Sequence, residues 1–80
     1  KLYPNPNKGN MVFSYSLGAD EQGELYIYNT AGKEMKHYLL TSGNNIDLKI
    51  DATELNNGVY FYSVLVNGKQ QASGKVIVLK

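Results

Sequence analysis

Apolar and polar residues alternate along most of this chain, and the alternation predicts strands. From Asn10 to Leu17, Met11, Phe13, Tyr15 and Leu17 alternate with Val12, Ser14 and Ser16, the period of two of a half-buried strand whose first set faces inward. Glu24 to Asn29 puts Leu25 and Ile27 on one face and Tyr26 and Tyr28 on the other. Asn45 to Ile50 turns Ile46, Leu48 and Ile50 inward and Asp47 and Lys49 outward. Lys33 to Leu40 alternates imperfectly. Its charges suggest an edge strand, where lysine blunts an open ladder. The strongest strand signal is the β-branched and aromatic run after Leu55-Asn56-Asn57-Gly58, read as one central strand over residues 55–66.

The breaks between these runs carry turn chemistry. Asn67-Gly68 fits a type I′ hairpin leading into a last strand over Gln70 to Leu79, with Gly74 marking a bulge or a close backbone approach. Asn29-Thr30-Ala31-Gly32 fits a type I turn closing on a left-handed glycine. Gly18 to Gly23 and Thr41 to Asn44 read as loops. Asp51 to Leu55 reads as a crossover in which Asp51 caps a single helical turn, with Glu54 three residues on, and Leu55 plugs the end of the fold. At the start, Lys1 to Tyr3 forms a short first strand. Pro4 to Gly9 predicts a stiff, extended lead-in of linker character.

Seven short strands with turn signals about every 8–12 residues predict an all-β, seven-stranded, Ig-like antiparallel β-sandwich. Asn56, Gly58 and Tyr60 match the tyrosine corner of such sandwiches, although Tyr62 stands where Ig domains place a cysteine. The chain is one domain, 1–80, with residues 1–9 as lead-in and 10–80 as the body.

Composition narrows what this fold could do. The chain has 80 residues, 42% of them hydrophobic and 19% charged, which suits a small globular domain. It has no cysteine, so the fold is independent of disulfides. All eight basic residues are lysine and the net charge is +1. Without an arginine fork, nucleic-acid binding is not expected. No apolar run approaches the ~18 residues of a membrane span. The chain opens on Lys1-Leu2-Tyr3-Pro4 with no initiating Met or signal peptide, and reads as a domain of a longer protein.

Catalytic constellations do not emerge, and no enzyme is expected. The single His37 lies on a charged strand without a nucleophile, and no zinc, phosphate-loop or hydrolase motif occurs. No cofactor is implied. Asp20, Glu21 and Glu24 cluster near one loop, but their spacing fits no calcium motif and a solvated loop is the better reading. Seven tyrosines raise the alternative of a carbohydrate-binding platform, with Tyr26, Tyr28 and Tyr38 as surface aromatics. The simpler account is that tyrosine suits a strand with one wet end.

Several of these motifs recur in one order. They are Tyr3-Pro4-Asn5-Pro6 with Gly9, Leu25-Tyr26-Ile27-Tyr28-Asn29 with Ala31-Gly32-Lys33, Asp51 and Leu55 with Gly58-Val59-Tyr60, and the terminal Lys75-Val76-Ile77-Val78-Leu79-Lys80. Together they resemble the C-terminal sorting domain of type IX secretion substrates, type A, over essentially the whole chain. Asn29 stands where that family usually has Asp, and Lys33 where Arg is common.

The resemblance implies a secretion signal that carries an N-terminal cargo from the periplasm across the outer membrane of a Gram-negative bacterium, to the medium or the cell surface. Its partners would be the outer-membrane secretion machinery and a sortase-like peptidase that cuts N-terminal to the domain. The family's terminal motif maps onto Lys75, Val76, Ile77, Val78, Leu79 and Lys80. These residues are the expected recognition element, since a terminal strand at a sheet edge is accessible to a partner. Deleting them is expected to trap a cargo while the domain still folds. Gly32, Leu55, Gly58 and Tyr60 are expected to shape the fold, Gly58 through a turn with positive φ and Tyr60 through a corner hydrogen bond. The alternative is an accessory Ig-like or carbohydrate-binding module of a secreted enzyme. Exchange of a strand between two copies stays open.

Overall fold

The computed structural model describes residues 1–80 and has seven strands and no helix. They are β1 (Leu2–Tyr3), β2 (Asn10–Leu17), β3 (Gly23–Tyr28), β4 (Glu34–Leu40), β5 (Gly43–Asp51), β6 (Gly58–Val66) and β7 (Lys69–Val78). They form two antiparallel sheets, β1-β2-β5 and β4-β3-β6-β7, packed as the expected Ig-like sandwich.

The inward set of each strand meets in one core. Met11, Phe13 and Leu17 of β2 and Ile50 of β5 face Leu25 and Ile27 of β3, Tyr60 and Val64 of β6, and Val76 and Val78 of β7. Each fully buried Leu, Ile or Val here contributes about 1.5–3 kcal/mol. Ala52 and Leu55 close one end of the sandwich from the crossover. Tyr15, Tyr38, Leu48 and Tyr62 pack at the margin of this core.

Irregularities account for the places where alternation failed. In β4, Ile27 pairs with Lys36 and Tyr28 with Glu34, so Met35 is the extra residue of a bulge. The bulge shifts the phase of the strand. Tyr38 and Leu40 point in, Met35 reaches the core margin, and Leu39 and His37 point out. A second bulge falls in β5, where Tyr15 pairs with Ile46 but Leu17 with Gly43. Asn45 there adopts φ 53°, and its N–H donates to the Ser16 hydroxyl at 2.9 Å. Pairing therefore reaches back to Gly43, and the loop expected over Thr41–Asn44 shrinks to Thr41 and Ser42.

The turns follow their chemistry. Asn67 and Gly68 have φ of 52° and 78°, as a type I′ turn requires, and Val66 pairs with Lys69 across it. Gly32 N–H donates to the Asn29 carbonyl at 3.0 Å, and the Asn29 side chain accepts from Ala31 and Lys33 N–H.

Two expectations are corrected. Asp51 to Leu55 makes no helical turn. Asp51 accepts instead from the N–H and hydroxyl of Thr53, and Leu55 N–H closes a tight turn on the Ala52 carbonyl at 3.0 Å. Glu54 leaves the capping role and pairs with Lys36 of β4 at 2.6 Å. The lead-in, in turn, is no linker. Asn7 is 5% exposed and bridged to Val78 in parallel. Gly9, at φ 104°, lies so close to the crossover that its carbonyl accepts from Ala52 N–H at 2.7 Å.

Candidate functional site

Two surfaces could meet a partner: the outer edge of β7 and the outer face of the larger sheet. β7 is an edge strand, so half of its main-chain groups point away from β6. Along its C-terminal half those groups are already used. Asn5 lies alongside, its side-chain oxygen accepting from Ile77 N–H at 2.9 Å and its amide donating to the Lys75 carbonyl at 3.0 Å. Asn7 N–H donates to the Ile77 carbonyl at 2.9 Å, and its own carbonyl accepts from Leu79 N–H at 2.7 Å. Residues 5–7 thus form a strap over the edge. Asn7 is held from behind, its amide donating to the Pro4 carbonyl and its side-chain oxygen accepting from Gly9 N–H at 2.8 Å.

This strap changes the reading of Lys75 to Lys80. The segment was expected to offer its backbone to a partner at an open edge, and that backbone is covered from the Lys75 carbonyl to the Leu79 N–H. Val76 and Val78 are core residues, 2% and 0% exposed. What remains outward is side chains: Lys75, Lys80 and a largely exposed Leu79. Lys80 is itself tied down, its N–H donating to the Asn57 side chain at 2.9 Å and its ammonium to the Thr53 carbonyl.

The other motif residues take structural positions. Tyr60 is buried and its hydroxyl donates to the Asn56 carbonyl at 2.8 Å, which is the expected corner. Removing that hydroxyl in Tyr60→Phe leaves the Asn56 carbonyl without its partner and is expected to cost about 1 kcal/mol, read as a lower urea midpoint at unchanged m-value. Gly58 has φ 158°, positive as expected but close to extended rather than a tight left-handed turn. Leu55 is buried at the sandwich end, and Gly32 closes the β3–β4 hairpin in the open with φ 83°. Gly74 is a close approach. The Tyr62 ring lies across it, and an added Cβ would sit 2.6 Å from Tyr62 Cε2. The bulge of β7 falls instead at Gln71, because Val64 pairs with Ala72 and Leu65 with Gln70.

On the outer face of the larger sheet, Tyr26 pairs with His37 on one side and Ser63 on the other, and Tyr28 with Phe61. The Tyr26 ring stacks on His37 at 4.3 Å and 6°, and on Tyr28 at 5.8 Å and 13°. Glu24 joins this row. One carboxylate oxygen accepts from the Tyr26 hydroxyl at 2.5 Å and lies 3.0 Å from His37 Nε2. The bond to Tyr26, then that to His37, lowers the Glu24 pKa. The same Glu24 bond pushes the Tyr26 phenol up to about 12. A raised phenol favours folding below its ordinary value near 10 and loses that contribution as pH climbs through its folded value. In an alkaline absorbance titration, Tyr26 is expected to ionise at about 12, and Tyr26→Phe or Glu24→Gln removes that step.

The structure thus separates groups that the sequence placed together. Tyr38 faces the core margin and does not share a surface with Tyr26 and Tyr28. The loop carboxylates diverge: Glu21 accepts from Gly18 N–H at 2.7 Å while Glu24 turns to Tyr26 and His37. No three His, Asp or Glu side chains converge as metal ligands. No helix is present to cross a membrane. Sequence reasoning missed Asn5 and Asn7. Their spacing of two among prolines was visible, but the strand they bond lies some 70 positions away.

These surfaces, a strapped edge strand beside an aromatic sheet face, belong to a small Ig-like sandwich. The chain belongs to the secretion system C-terminal sorting domain family, whose profile matches residues 1–79. Comparison with curated proteins and with solved structures found no match. Membership makes the chain a type IX secretion C-terminal sorting signal, which works with the secretion machinery on an N-terminal cargo of a secreted or cell-surface protein.

Proposed function

We propose that this domain acts as an address without chemistry of its own, read by the outer-membrane machinery while folded, and that a sortase-like peptidase at the cell surface then cuts N-terminal to it. The family match over residues 1–79 carries this reading. The surface is consistent with it. The exposed side chains of Lys75, on β7, and of Leu79 and Lys80, just past its end, can be read by a partner without disturbing the core. The lone His37 is engaged by Glu24 and stacks on Tyr26.

The test fuses residues 1–80 behind a fluorescent protein that carries an export signal, in a bacterium with the type IX system. Fluorescence in the medium or on the surface is expected. Periplasmic retention of a folded fusion would overturn the reading.

The outer aromatic face favours one second reading, a carbohydrate-binding module. Phe61 is 44% exposed next to Tyr28. That reading requires retention on insoluble glycans that Tyr28→Ala abolishes. Tyr26 suits it poorly, because its ring already stacks on His37.

A further inference from the structure

The strap covers only part of the β7 edge. Outward-pointing main chain alternates along an antiparallel strand, and Ile77 and Lys75 belong to the outward set because Asn5 and Asn7 bond them. No bulge intervenes before Ser73, which pairs with Ser63. The N–H and carbonyl of Ser73 and the N–H of Lys75 therefore also point outward. Neither Asn5 nor Asn7 bonds them, and no other segment does. The bulge at Gln71 ends this regular stretch on one side and Asn5 ends it on the other.

The open window runs from Ala72 to Lys75, about 13 Å at strand rise. It carries no charge but Lys75, whose ammonium pairs with no carboxylate. Ser73 and Gly74 are small, and they leave a shallow recess lined by Phe61, Tyr62, Ser73, Gly74 and Lys75. Other edges are better defended. β4 carries a bulge and Lys36, β5 a bulge with Asp47 and Lys49, and β1 has only two residues.

We infer that the Ala72–Lys75 window is a docking edge for a short extended segment of a partner protein that carries a carboxylate opposite Lys75 and an apolar side chain opposite Ser73. The inference rests on the sorting reading only in taking that partner to be part of the secretion machinery. Main-chain bonds from Ser73 and Lys75 would hold the segment, which is strand addition. The carboxylate would answer the free Lys75 ammonium. The apolar side chain, two residues along and on the same face, would fill the recess over Ser73 toward Phe61. The strap also selects against a second copy of this chain. An antiparallel β7 centred on Ser73 would lay its residue 69 beside Ile77, where Asn5 and Asn7 already sit.

The test titrates the intact chain with capped Thr-Glu-Thr-Phe-Thr and follows its amide resonances by NMR. In an antiparallel partner this order sets Glu opposite Lys75 and Phe opposite Ser73. Shifts at Ser73 and Lys75 are expected, with about tenfold weaker binding for Thr-Lys-Thr-Phe-Thr and for Thr-Glu-Thr-Ser-Thr. The reversed peptide Thr-Phe-Thr-Glu-Thr tests parallel docking and supports the inference equally if it shifts the same amides. Ser73→Pro removes the outward donor without touching the β6 ladder and should abolish the response. If that variant loses its native spectrum, Lys75→Glu replaces it and should reverse the preference between the Glu and Lys peptides.

An inert chain, equal binding of Glu and Lys peptides, shifts confined to the Tyr26–Tyr28 face, or a peptide-free dimer through β7 in sedimentation each overturn the inference. In the secretion fusion, Lys75→Glu should cut export about tenfold. Export of the parent and the variant alike sinks the inference but leaves the sorting reading standing. Retention of the parent counts against sorting alone, and the peptide titration then decides the docking edge.

Discussion

Deleting Lys75–Lys80 is expected to unfold the domain, so that it shows no cooperative thermal transition by circular dichroism. The segment holds Val76 and Val78, both in the core, and most of the main-chain bonds to the strap. A domain of this size is stable by only about 4–12 kcal/mol. Losing two buried valines removes about 3–6 kcal/mol before any cavity or ladder term is counted. The sequence alone suggested a truncated domain that folds but is not exported. The structure makes that experiment ambiguous, because an unfolded address and an unread address fail alike. Exposed positions separate the two. Leu79→Ser changes a side chain that is 59% exposed and is expected to leave the melting temperature within a few degrees.

The second large effect is expected at Gly9. Its φ is 104°, outside the range that other residues adopt readily, and an added Cβ would lie 2.7 Å from Thr53 Cα and 2.9 Å from the Ala52 carbonyl oxygen. Both neighbours are backbone and cannot rotate aside. Backbone strain and overpacking each cost about 1–3 kcal/mol, so Gly9→Ala should lose about 3 kcal/mol. At roughly 4–8 °C per kcal/mol for a domain this small, the melting temperature should fall by about 12 °C or more. Gly32→Ala is the matched control. It also has a positive φ, 83°, but an added Cβ would meet nothing within 4 Å, so it isolates the backbone cost from the clash.

The fold was legible where alternation was clean. Met11, Phe13 and Leu17 in β2, and Leu25 and Ile27 in β3, announced their inward faces because one face is wet and the other dry. The Asn67-Gly68 turn and the Tyr60 corner were legible because few residues supply those geometries. β4 resisted, because the bulge at Met35 changes which residues face the core and nothing local marks it. The crossover misled for a different reason. Asp51 and Glu54 fit a capping pattern, but Thr53 captured the first and Lys36 the second.

For the candidate site, the sequence singled out the C-terminal segment but not the cover over its edge. Lys75 to Val78 form the end of the edge strand β7, with Leu79 and Lys80 just past it, but the partner of that edge sits in the same chain. Prolines at 4 and 6 suggested an extended, unattached lead-in. The asparagines between and after them supply side-chain and main-chain groups that mimic a neighbouring strand. Such a contact depends on three-dimensional closure, which no window of sequence contains.

The strap also bears on how the chain folds. It bonds Asn5 to Lys75 and Ile77, 70 and 72 positions away, in a topology whose other pairings are themselves mostly distant. High contact order slows folding, toward milliseconds to seconds. Closing the strap needs residues from both ends of the domain at once. The last strand has to emerge before the first residues find their place. Until then β7 and its apolar Val76-Ile77-Val78 run are unprotected, and a chaperone that recognises such runs would have its opportunity in that interval.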